Sequence, residues 1–493
     1  MSLNRRAFLR KATATAAALG AARLTPAIAT PDSPDHADLL RLLIETERDQ
    51  LLEALVARIR GGLDYPTLLG AIAEASVRQV RPYPHVGFKY HAFMVLHAVH
   101  RNRTLGRPED RWLPVLWAAD IFKGSQAAEQ RSGSWSLGPV RERRVPPAHK
   151  AEDAFRDAME RWDPEAADAA VVGLARSLPR DRLFALLFLY GARDFRAIGH
   201  KAITVANCHR LMGVVAPAHT EAMLRSLVLA LLNHRDEPNP ADNDLAPDRP
   251  WRRNLVLAAQ PELAKESKDA GDNGAGAISE ILAVLREGSD EDASRAVDEA
   301  TRRGVPDEQL WSGIFLAAGD LMLKQSGIIS VHANTGVNAL HYAYRHLGDP
   351  RTRRLMLLQA AAFLPLFRDL LGGERRRLRI DTLEALDQDA DPGSTLEDIF
   401  ATVSLDRVDA ARKTLGYLAA GGAEPPFLRL ARRYVVERNT GYHDYKFAEA
   451  AFANAAAMQS PWRERYLAAS VPYLNGSADK ANETVRRARL VLG

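Results

Sequence analysis

The sequence contains a single cysteine, Cys208, among its 493 residues. One thiol cannot close a disulfide within the chain, so the fold must be held together by its hydrophobic core, which a chain of this length can bury. Cys208 lies in the apolar stretch "ITVANCHRL", whose helical spacing indicates a core residue rather than a reactive nucleophile.

Several familiar catalytic motifs are missing as well. The chain has no Gly-rich phosphate-binding loop, no nucleophile elbow of the G-x-S-x-G type and no H-E-x-x-H zinc motif. It also lacks the run of about 20 strongly apolar residues that a permanent membrane span needs. These absences argue against P-loop enzymes, α/β-hydrolases, zinc proteases of that motif and integral membrane proteins.

Residues 1–29 have the pattern of an export signal. Arg5 and Arg6 form a twin-arginine pair, a weakly apolar Ala-rich run follows, and the small-residue sequence "AIA" ends at Ala29. We predict a twin-arginine signal peptide over 1–29, cleavage near Ala29, recognition by the twin-arginine export machinery and a periplasmic or extracellular location. This route exports folded proteins, which favours a chain that acquires its cofactor before export.

The formal net charge of +4 depends on this leader, which contributes five Arg and Lys residues and no acidic residue. Removing those five charges leaves a net charge of about −1 for the mature chain. Such a chain has no basic excess to attract a nucleic acid, and we expect no nucleic-acid partner.

Helical periodicity dominates the rest of the chain. Apolar residues recur at three- and four-residue intervals in segments such as "ADLLRLLIETERDQLLEALVARI", and alternating strand patterns of any length are absent. We predict an all-α fold: a single large domain of packed helical hairpins around a central cavity, over residues 30–493. Two polar stretches, 123–150 and 233–254, are predicted to be long loops, either surface connections or lids over a site.

Histidines recur with a fixed spacing. In three segments a histidine is followed by another nine residues later, with the pairs being His91 and His100, His200 and His209, and His332 and His341. The stretch "HDYKFAEAAFANAA", which begins at His443, supplies the first histidine of a fourth segment without the second.

Helix geometry separates the two histidines of each pair. At about 100° per residue, nine positions place them on opposite faces of a straight helix. The face of the first histidine continues at positions +3, +4 and +7. At +7 every segment has a small residue, namely Ala98, Asn207, Ala339 and Ala450. Helices that surround a shared cavity would need such a face.

The first histidines are therefore candidate ligands of one shared transition metal. Imidazole is a common ligand of iron, copper and zinc, and helix bundles build metal sites from facing helices. The candidate ligands are His91, His200, His332 and His443, with His97 as a rival to His91. The second histidines of the pairs are expected to be supporting or structural groups. The alternative for any one histidine is a core residue hydrogen-bonded to a backbone carbonyl.

Lys446 lies three residues after His443, so both side chains project to one side of the helix. An ammonium on a buried helix is costly, and burial lowers its pKa. The amine could reach the surface, pair with Asp444 or Glu449, lie beside a substrate anion, or react as the neutral amine with CO2 to give a carbamate that ligates the metal. Lys446 is thus a candidate metal ligand, and Lys446 and Asp444 are the candidate catalytic residues.

Three short elements resemble the questin oxidase-like family. They are H-x5-H at His91 and His97, H-x-x-T at His332 and Thr335, and H-x-x-K at His443 and Lys446. Members of that family are all-helical and act on polycyclic aromatic polyketides such as anthraquinones. At least some resemble non-haem iron oxygenases with four histidines and a carboxylated lysine at the metal. The resemblance implies an Fe(II) cofactor held by these elements, with Lys446 carboxylated.

Two features depart from the family pattern. The element "AIGHKAI" around His200 has no clear counterpart, and Asn338 stands where a histidine is expected six residues after His332. Export would also be unusual for a polyketide-modifying enzyme. The ligand set or the reaction could therefore differ from that of the family.

These observations combine into one leading function and two alternatives. We predict an exported, metal-dependent oxygenase or oxidase, with Fe(II) as the expected metal, that acts on a small aromatic molecule in a helical cavity. The same ligands could instead serve a metal-dependent hydrolase or lyase. A non-catalytic helical scaffold with structural histidines is the third interpretation.

Overall fold

Helices account for the regular structure of the chain. The computed structural model describes residues 34–82, 88–103, 107–260, 273–373, 376–386 and 392–493, and within these ranges there is no β-strand. The predicted all-α fold is confirmed. The predicted signal peptide, 1–29, lies outside the described residues.

The helices fall into three groups along the chain. The N-terminal helices are α1 (Pro34–Glu45), α2 (Leu51–Arg60), α3 (Tyr65–Gln79), α4 (His91–Met94), α5 (Leu96–Arg101), α6 (Leu113–Arg131), α7 (Ala148–Glu160), α8 (Pro164–Ser177) and α9 (Arg180–Gly191). The central helices are α10 (His200–Met212), α11 (Thr220–Leu231), α12 (Arg249–Ala259), α13 (Asn273–Glu287), α14 (Asp290–Arg302), α15 (Asp307–Lys324), α16 (Ile328–His346) and α17 (Pro350–Asp369). The C-terminal helices are α18 (Pro392–Val403), α19 (Arg407–Ala419), α20 (Glu424–Arg438), α21 (Tyr442–Ala456), α22 (Trp462–Ser470) and α23 (Glu483–Leu492).

Many of these helices begin at a side chain that caps their free N–H groups. The Asp163 carboxylate accepts from the backbone N–H groups of Glu165 and Ala166, and Ser289 and Asp292 form a reciprocal capping box at the start of α14. By contrast, α10, α16 and α21 begin after a glycine without a side-chain cap. These three helices hold candidate ligands within their first five residues.

The hydrophobic core is continuous. One cluster of buried apolar side chains extends from Leu39 in α1 to Ala488 in α23. Cys208 is fully buried within it, and burial raises the pKa of its thiol, as expected for a core cysteine. Among the described residues, no helix combines the length and the apolar character that a bilayer crossing requires.

Four helices pack in a closed cycle at the centre of this core. Helix α5 contacts α10, α10 contacts α16, α16 contacts α21, and α21 returns to α5. Buried hydrogen bonds fix the register of one pair: Asn338 Nδ2 on α16 donates to Asn454 Oδ1 on α21 at 2.8 Å, and Asn454 Nδ2 donates to Tyr466 Oη at 2.9 Å. Buried amides whose hydrogen bonds are satisfied favour one register of two packed helices over shifted registers, in which those bonds would be lost.

Both long loops are shorter than predicted. Helix α6 continues to Arg131 and α7 begins at Ala148, so the first loop covers 132–147 rather than 123–150. Lys123 was one of the polar residues that suggested a loop, but its side chain points toward a neighbouring helix. Its ammonium donates to the carbonyl oxygens of Leu43 and Ile44 at the end of α1. Such groups satisfy carbonyls that a helix end leaves free.

The second loop covers 232–248 rather than 233–254, because α12 already begins at Arg249 with Pro250 in its first turn. Trp135 and Trp251 pack against the core instead of covering a site. Neither loop contributes a residue to the cavity described below. The lid interpretation therefore has no support at that cavity.

Candidate metal centre

The structure brings the four first histidines together. One nitrogen from each of His91, His200, His332 and His443 lies within 4.8 Å of the others. Ligands in trans positions on one metal, each at about 2.1 Å, are about 4.2 Å apart. The cluster is thus close to the size of a single coordination sphere.

Helix starts explain how four distant segments converge. His91 and His200 are the first residues of α4 and α10, His443 is the second residue of α21, and His332 lies one turn into α16. A side chain at a helix start can point beyond the end of the helix. The first histidine of each pair can therefore reach a shared site even though the second lies on the opposite face of the helix. The cluster therefore caps one end of the four-helix cycle.

Gly199 makes the approach of α10 feasible. Its φ is +80°, a left-handed conformation that glycine adopts without strain. An added Cβ there would lie 3.4 Å from Phe367 Cζ and 3.7 Å from the Cα of Gly336 on α16. Gly199 thus turns the chain into α10 where that helix start lies closest to α16.

Two of the rings are fixed in one tautomer by backbone carbonyls. His200 Nδ1 donates to the carbonyl oxygen of Ala197 at 2.6 Å, and His332 Nδ1 donates to that of Ile328 at 2.6 Å. A carbonyl can only accept, so Nδ1 holds the proton and Nε2 of each neutral ring presents a lone pair. Metal-binding histidines in proteins are oriented by the same kind of contact.

These lone pairs face each other. His332 Nε2 lies 2.9 Å from His200 Nε2, and His200 Nε2 lies 3.3 Å from His91 Nε2. Two neutral acceptors at this distance repel unless a proton or a metal ion lies between them. Ligands at about 2.1 Å from one metal are about 3.0 Å apart at 90° and about 3.4 Å apart at the tetrahedral angle. Both Nε2–Nε2 distances match the distance expected between two neighbouring ligands of one metal.

Burial keeps the rings neutral, so an extra proton does not explain the close contact of His200 Nε2 with His332 Nε2. It lowers the pKa of His332 to about 3 and of His443 to about 2, and the nearby charge of Lys446 adds to the effect. Burial also lowers the pKa values of His91 and His200 well below 6.5. Four neutral imidazoles are the protonation state that a metal requires.

Lys446 lies near the four histidines and interacts with each of them electrostatically. Its side chain is 4% exposed, and its ammonium nitrogen has no hydrogen-bond partner in the described part of the chain. Burial lowers its pKa to about 7. Its charge depresses the pKa of all four cluster histidines. Among the described residues the amine therefore neither reaches the surface nor pairs with Asp444 or Glu449. Contact with a substrate anion and carboxylation of the amine stay predictions.

Asp444 lies elsewhere. Its carboxylate accepts from the backbone N–H of Thr440 at 2.7 Å and from Asn475 Nδ2 at 3.2 Å, which ties the start of α21 to the preceding turn. It does not belong to the group of candidate ligands. The predicted catalytic role of Asp444 has no support in this geometry, because the carboxylate is occupied by Thr440 and Asn475.

A cavity of about 540 Å³ runs along the same four helices. Its lining repeats the register of the histidines: position +3 gives Ile203, Thr335 and Lys446, +7 gives Ala98, Asn207, Ala339 and Ala450, and +10 gives Arg101, Arg210, Tyr342 and Ala453. The small face that the sequence predicted is therefore the cavity wall. Its volume is typical of sites for small molecules.

His97 lines this cavity and does not join the cluster, so His91 is the cluster member of the two. The second histidines of the pairs also lie outside the cluster. His209 Nδ1 lies 2.9 Å from the Tyr342 hydroxyl, and the His341 ring packs edge-on against Phe315. Their position outside the cluster agrees with the prediction that they are supporting or structural groups.

Sequence reasoning missed Tyr442. Its ring stacks on His91, with centroids 4.1 Å apart and planes 23° apart, and its other side meets the His443 ring at 4.8 Å. The residue directly precedes His443, but an aromatic residue beside a histidine has no specific spacing that could have identified it. In the structure it holds the His91 ring in place.

A second group of possible ligands, His36, Glu74 and His219, is a buried ion network. Both histidines contact the same Glu74 oxygen, at 3.1 Å and 2.7 Å. Burial would raise the pKa of Glu74, but the hydrogen bond from His219 and the charge of Arg78 lower it to about 2. The adjacent guanidinium disfavours a cation, and the group ties α1 to α3.

The metal-free protein should lose folding stability as the pH falls below about 6.5. The unfolded chain protonates His332 and His443 near pH 6.5, whereas the folded chain keeps them neutral down to about pH 3 and 2. The unfolded state thus binds more protons in this window, and each such histidine costs about 1.4 kcal/mol per pH unit.

Urea unfolding of chelator-treated protein at pH 7.5, 6.0 and 5.0 checks this expectation. In the His443→Ala variant the unfolding free energy should depend less steeply on pH, by about 1.4 kcal/mol per pH unit, because one fewer proton is taken up on unfolding. Equal unfolding free energies at all three pH values would contradict it.

Comparison with protein-family models, with curated proteins and with solved structures finds no match for this chain.

Proposed function

We propose that this protein is a metal-dependent oxidoreductase that activates O2 at the four-histidine centre, with Fe(II) as its metal, and oxidises a small aromatic molecule held in the adjoining cavity. The observation that supports this most directly is the contact of two anchored rings, with His332 Nε2 and His200 Nε2 2.9 Å apart and both unprotonated. A metal ion turns this repulsive contact into a pair of ligand bonds.

The ligand separations agree with iron and with zinc. A tetrahedral site of the kind typical for zinc has edges of about 3.4 Å, whereas five- and six-coordinate sites have edges of about 3.0 Å. The 2.9 Å contact is closer to the second value and the 3.3 Å contact to the first. An all-imidazole set suits iron as well as copper and zinc, and the resemblance to the questin oxidase-like family selects iron among them.

Fe(II) with an open coordination position would supply the activation of O2. The chain supplies the rest. Backbone carbonyls orient the rings of His200 and His332, and Tyr442 supports His91 by stacking. Small side chains leave room for a flat molecule in the cavity, and Phe452 and Ile203 provide apolar contact. Excluding water in this way strengthens every polar interaction within the site. The four histidines do not line this cavity, and Lys446 is the residue that connects it to them.

Lys446 has two roles open to it at this centre. As the neutral amine, its nitrogen can hold or release a proton close to neutral pH, because its pKa lies at about 7. The same amine can attack CO2, forming an N–C bond and releasing one proton, which gives a carbamate. The product is an anionic oxygen ligand that would complement the charge of Fe(II). A retained ammonium would instead repel it.

A helical scaffold with structural histidines accounts poorly for these features. A buried amine without a partner and two lone pairs in contact both cost folding free energy, and neither joins two parts of the fold. A hydrolase or lyase with the same ligands agrees with the geometry but requires no O2.

Oxygen uptake tests the proposal. Protein reconstituted anaerobically with one equivalent of Fe(II) should consume O2 in the presence of hydroxylated naphthoquinones or anthraquinones. The His332→Ala variant should consume it at least about 100-fold more slowly, because loss of a ligand removes the metal.

The His341→Ala variant is the matched control, since it removes the other histidine of the same helix and should retain the wild-type rate. Iron binding without O2 uptake for any of these compounds, together with hydrolysis of aryl esters by the zinc-loaded protein, would favour the hydrolase. Failure to retain any metal would exclude both enzymes.

A further inference from the structure

Arg210 is a cation of the cavity wall that no acidic side chain neutralises. It lies at position +10 after His200 on α10, and the described residues place no carboxylate in an ion pair with it. Burial lowers its pKa to about 10, so it remains charged at neutral pH. Arg210 is half-buried in the cavity wall, with a charge that no described acidic side chain there balances. A guanidinium shielded in part from water is stabilised by an anionic partner.

Three neutral groups hold this guanidinium in place. Arg210 Nη1 donates to Asn207 Oδ1 at 3.1 Å, and Nη2 donates to Asn338 Oδ1 at 3.0 Å. The guanidinium carbon lies 4.0 Å from the centre of the Tyr342 ring, which supports it by a cation–π contact. These contacts orient the side chain and leave its charge uncompensated. A guanidinium has five N–H groups, and those that make no contact here can donate to a ligand.

The neighbouring arginines are different. Arg432 Nε donates to Glu449 Oε1 at 2.7 Å, and Arg101 lies 3.6 Å from the same carboxylate with an exposed side chain. Glu449 therefore balances that side of the cavity. Arg210 interacts with Glu449 only at longer range. The uncompensated charge is thus located at Arg210.

Helix geometry sets the distance from Arg210 to the histidine cluster. Ten residues at about 1.5 Å each place its Cα roughly 15 Å along α10 from that of His200. Side chains on a helix lean toward its N-terminus, which brings the guanidinium back toward the cluster. The charge therefore lies on the order of 10 Å from the metal site, about the length of two or three fused aromatic rings.

We propose that Arg210 binds a carboxylate group of the substrate, so that the substrate is an aromatic acid whose reacting carbon lies on the order of 10 Å from its carboxylate. The planar guanidinium matches a carboxylate with two parallel hydrogen bonds. The apolar and small side chains between Arg210 and Lys446 would cover the ring system. This inference extends the proposed function by naming its substrate class.

Binding of matched ligands to the metal-free protein tests the inference separately from the metal. The probes are 2-naphthoate and anthraquinone-2-carboxylate, each compared with its neutral carboxamide, by fluorescence or calorimetric titration. Wild-type protein should bind at least one acid about 10-fold or more tightly than its amide, as a charge-assisted hydrogen-bond pair predicts. Arg210→Gln should remove that preference without weakening amide binding, and Arg210→Lys should retain part of it.

Arg101→Gln is the matched control, because it removes another arginine of the same cavity at the same +10 position and should keep the preference. An unchanged preference in Arg210→Gln overturns the inference, and so does a wild-type protein that binds neither acid more tightly than its amide. Loss of the preference in Lys446→Met but not in Arg210→Gln would place the anion at Lys446 instead. A chain that binds no metal would overturn the proposed function and leave this result intact.

Discussion

Replacing His200 by alanine should lower the metal affinity of the protein at least about 100-fold, a larger effect than the loss of a group that only supports a ligand. His200 is the central member of the cluster, because its Nε2 lies 2.9 Å from that of His332 and 3.3 Å from that of His91. Its removal takes away one ligand and the contact that links two others. The measurement is metal content by mass spectrometry after dialysis against a chelator of known affinity.

His209→Ala is the control for this experiment. His209 lies on the same helix, is equally buried, and contacts Tyr342 on the opposite face. We expect the metal content of His209→Ala to equal that of wild type, and circular dichroism should show that both variants are folded. Equal metal retention by His200→Ala and wild type would show that these four histidines do not bind metal together. Equal loss in both variants would point to a structural cause.

Much of this site could be predicted from the sequence, because its pattern is local. The small residue at +7 follows each first histidine on the same helix face, and Ala98, Asn207, Ala339 and Ala450 all line the cavity. Helical periodicity is likewise a property of neighbouring residues. The small residue at +7, which repeats in four segments, therefore indicated both the candidate ligands and the wall of the cavity.

Other features depend on partners that are distant in sequence. Lys123 appeared to belong to a loop, yet it faces the carbonyls of Leu43 and Ile44 and its helix continues. Asp444 appeared catalytic from its position beside His443, but Asn475 and Thr440 occupy its carboxylate. Composition and spacing do not contain such pairings, since the same polar residue type serves a loop, a cap or a site.

Arg210 illustrates the same limit within the site. The sequence shows an arginine directly after His209, as it shows Arg101 after His100. The structure distinguishes them, since Glu449 lies beside Arg101 and only neutral groups contact Arg210. Whether an arginine is neutralised depends on helices that meet only in the folded chain.

Replacing Lys446 by methionine should make the metal-free protein more stable at pH 7, by up to a few kcal/mol. Its folded-state pKa of about 7 is depressed from 10.5, so the unfolded chain binds an extra proton between these values. Wild-type stability should therefore rise by about 1.4 kcal/mol per pH unit from pH 7 toward pH 10. Methionine removes both this slope and the cost of a buried amine without a partner. Urea unfolding in CO2-free buffer at pH 7.0, 8.0 and 9.5 measures the difference.

Lys201 provides the opposing control. It is also buried, and burial lowers its pKa to about 8, but its ammonium lies 2.6 Å from the Asp194 carboxylate. Lys201→Met should destabilise the protein by about 3–5 kcal/mol, because it leaves a buried carboxylate unpaired. If Lys446→Met raises the unfolding free energy and Lys201→Met lowers it, Lys446 is a group that reduces stability. Residues retained for function often have this property. Parallel pH profiles of wild type and Lys446→Met would show instead that Lys446 titrates as an ordinary lysine, and would remove it from the site.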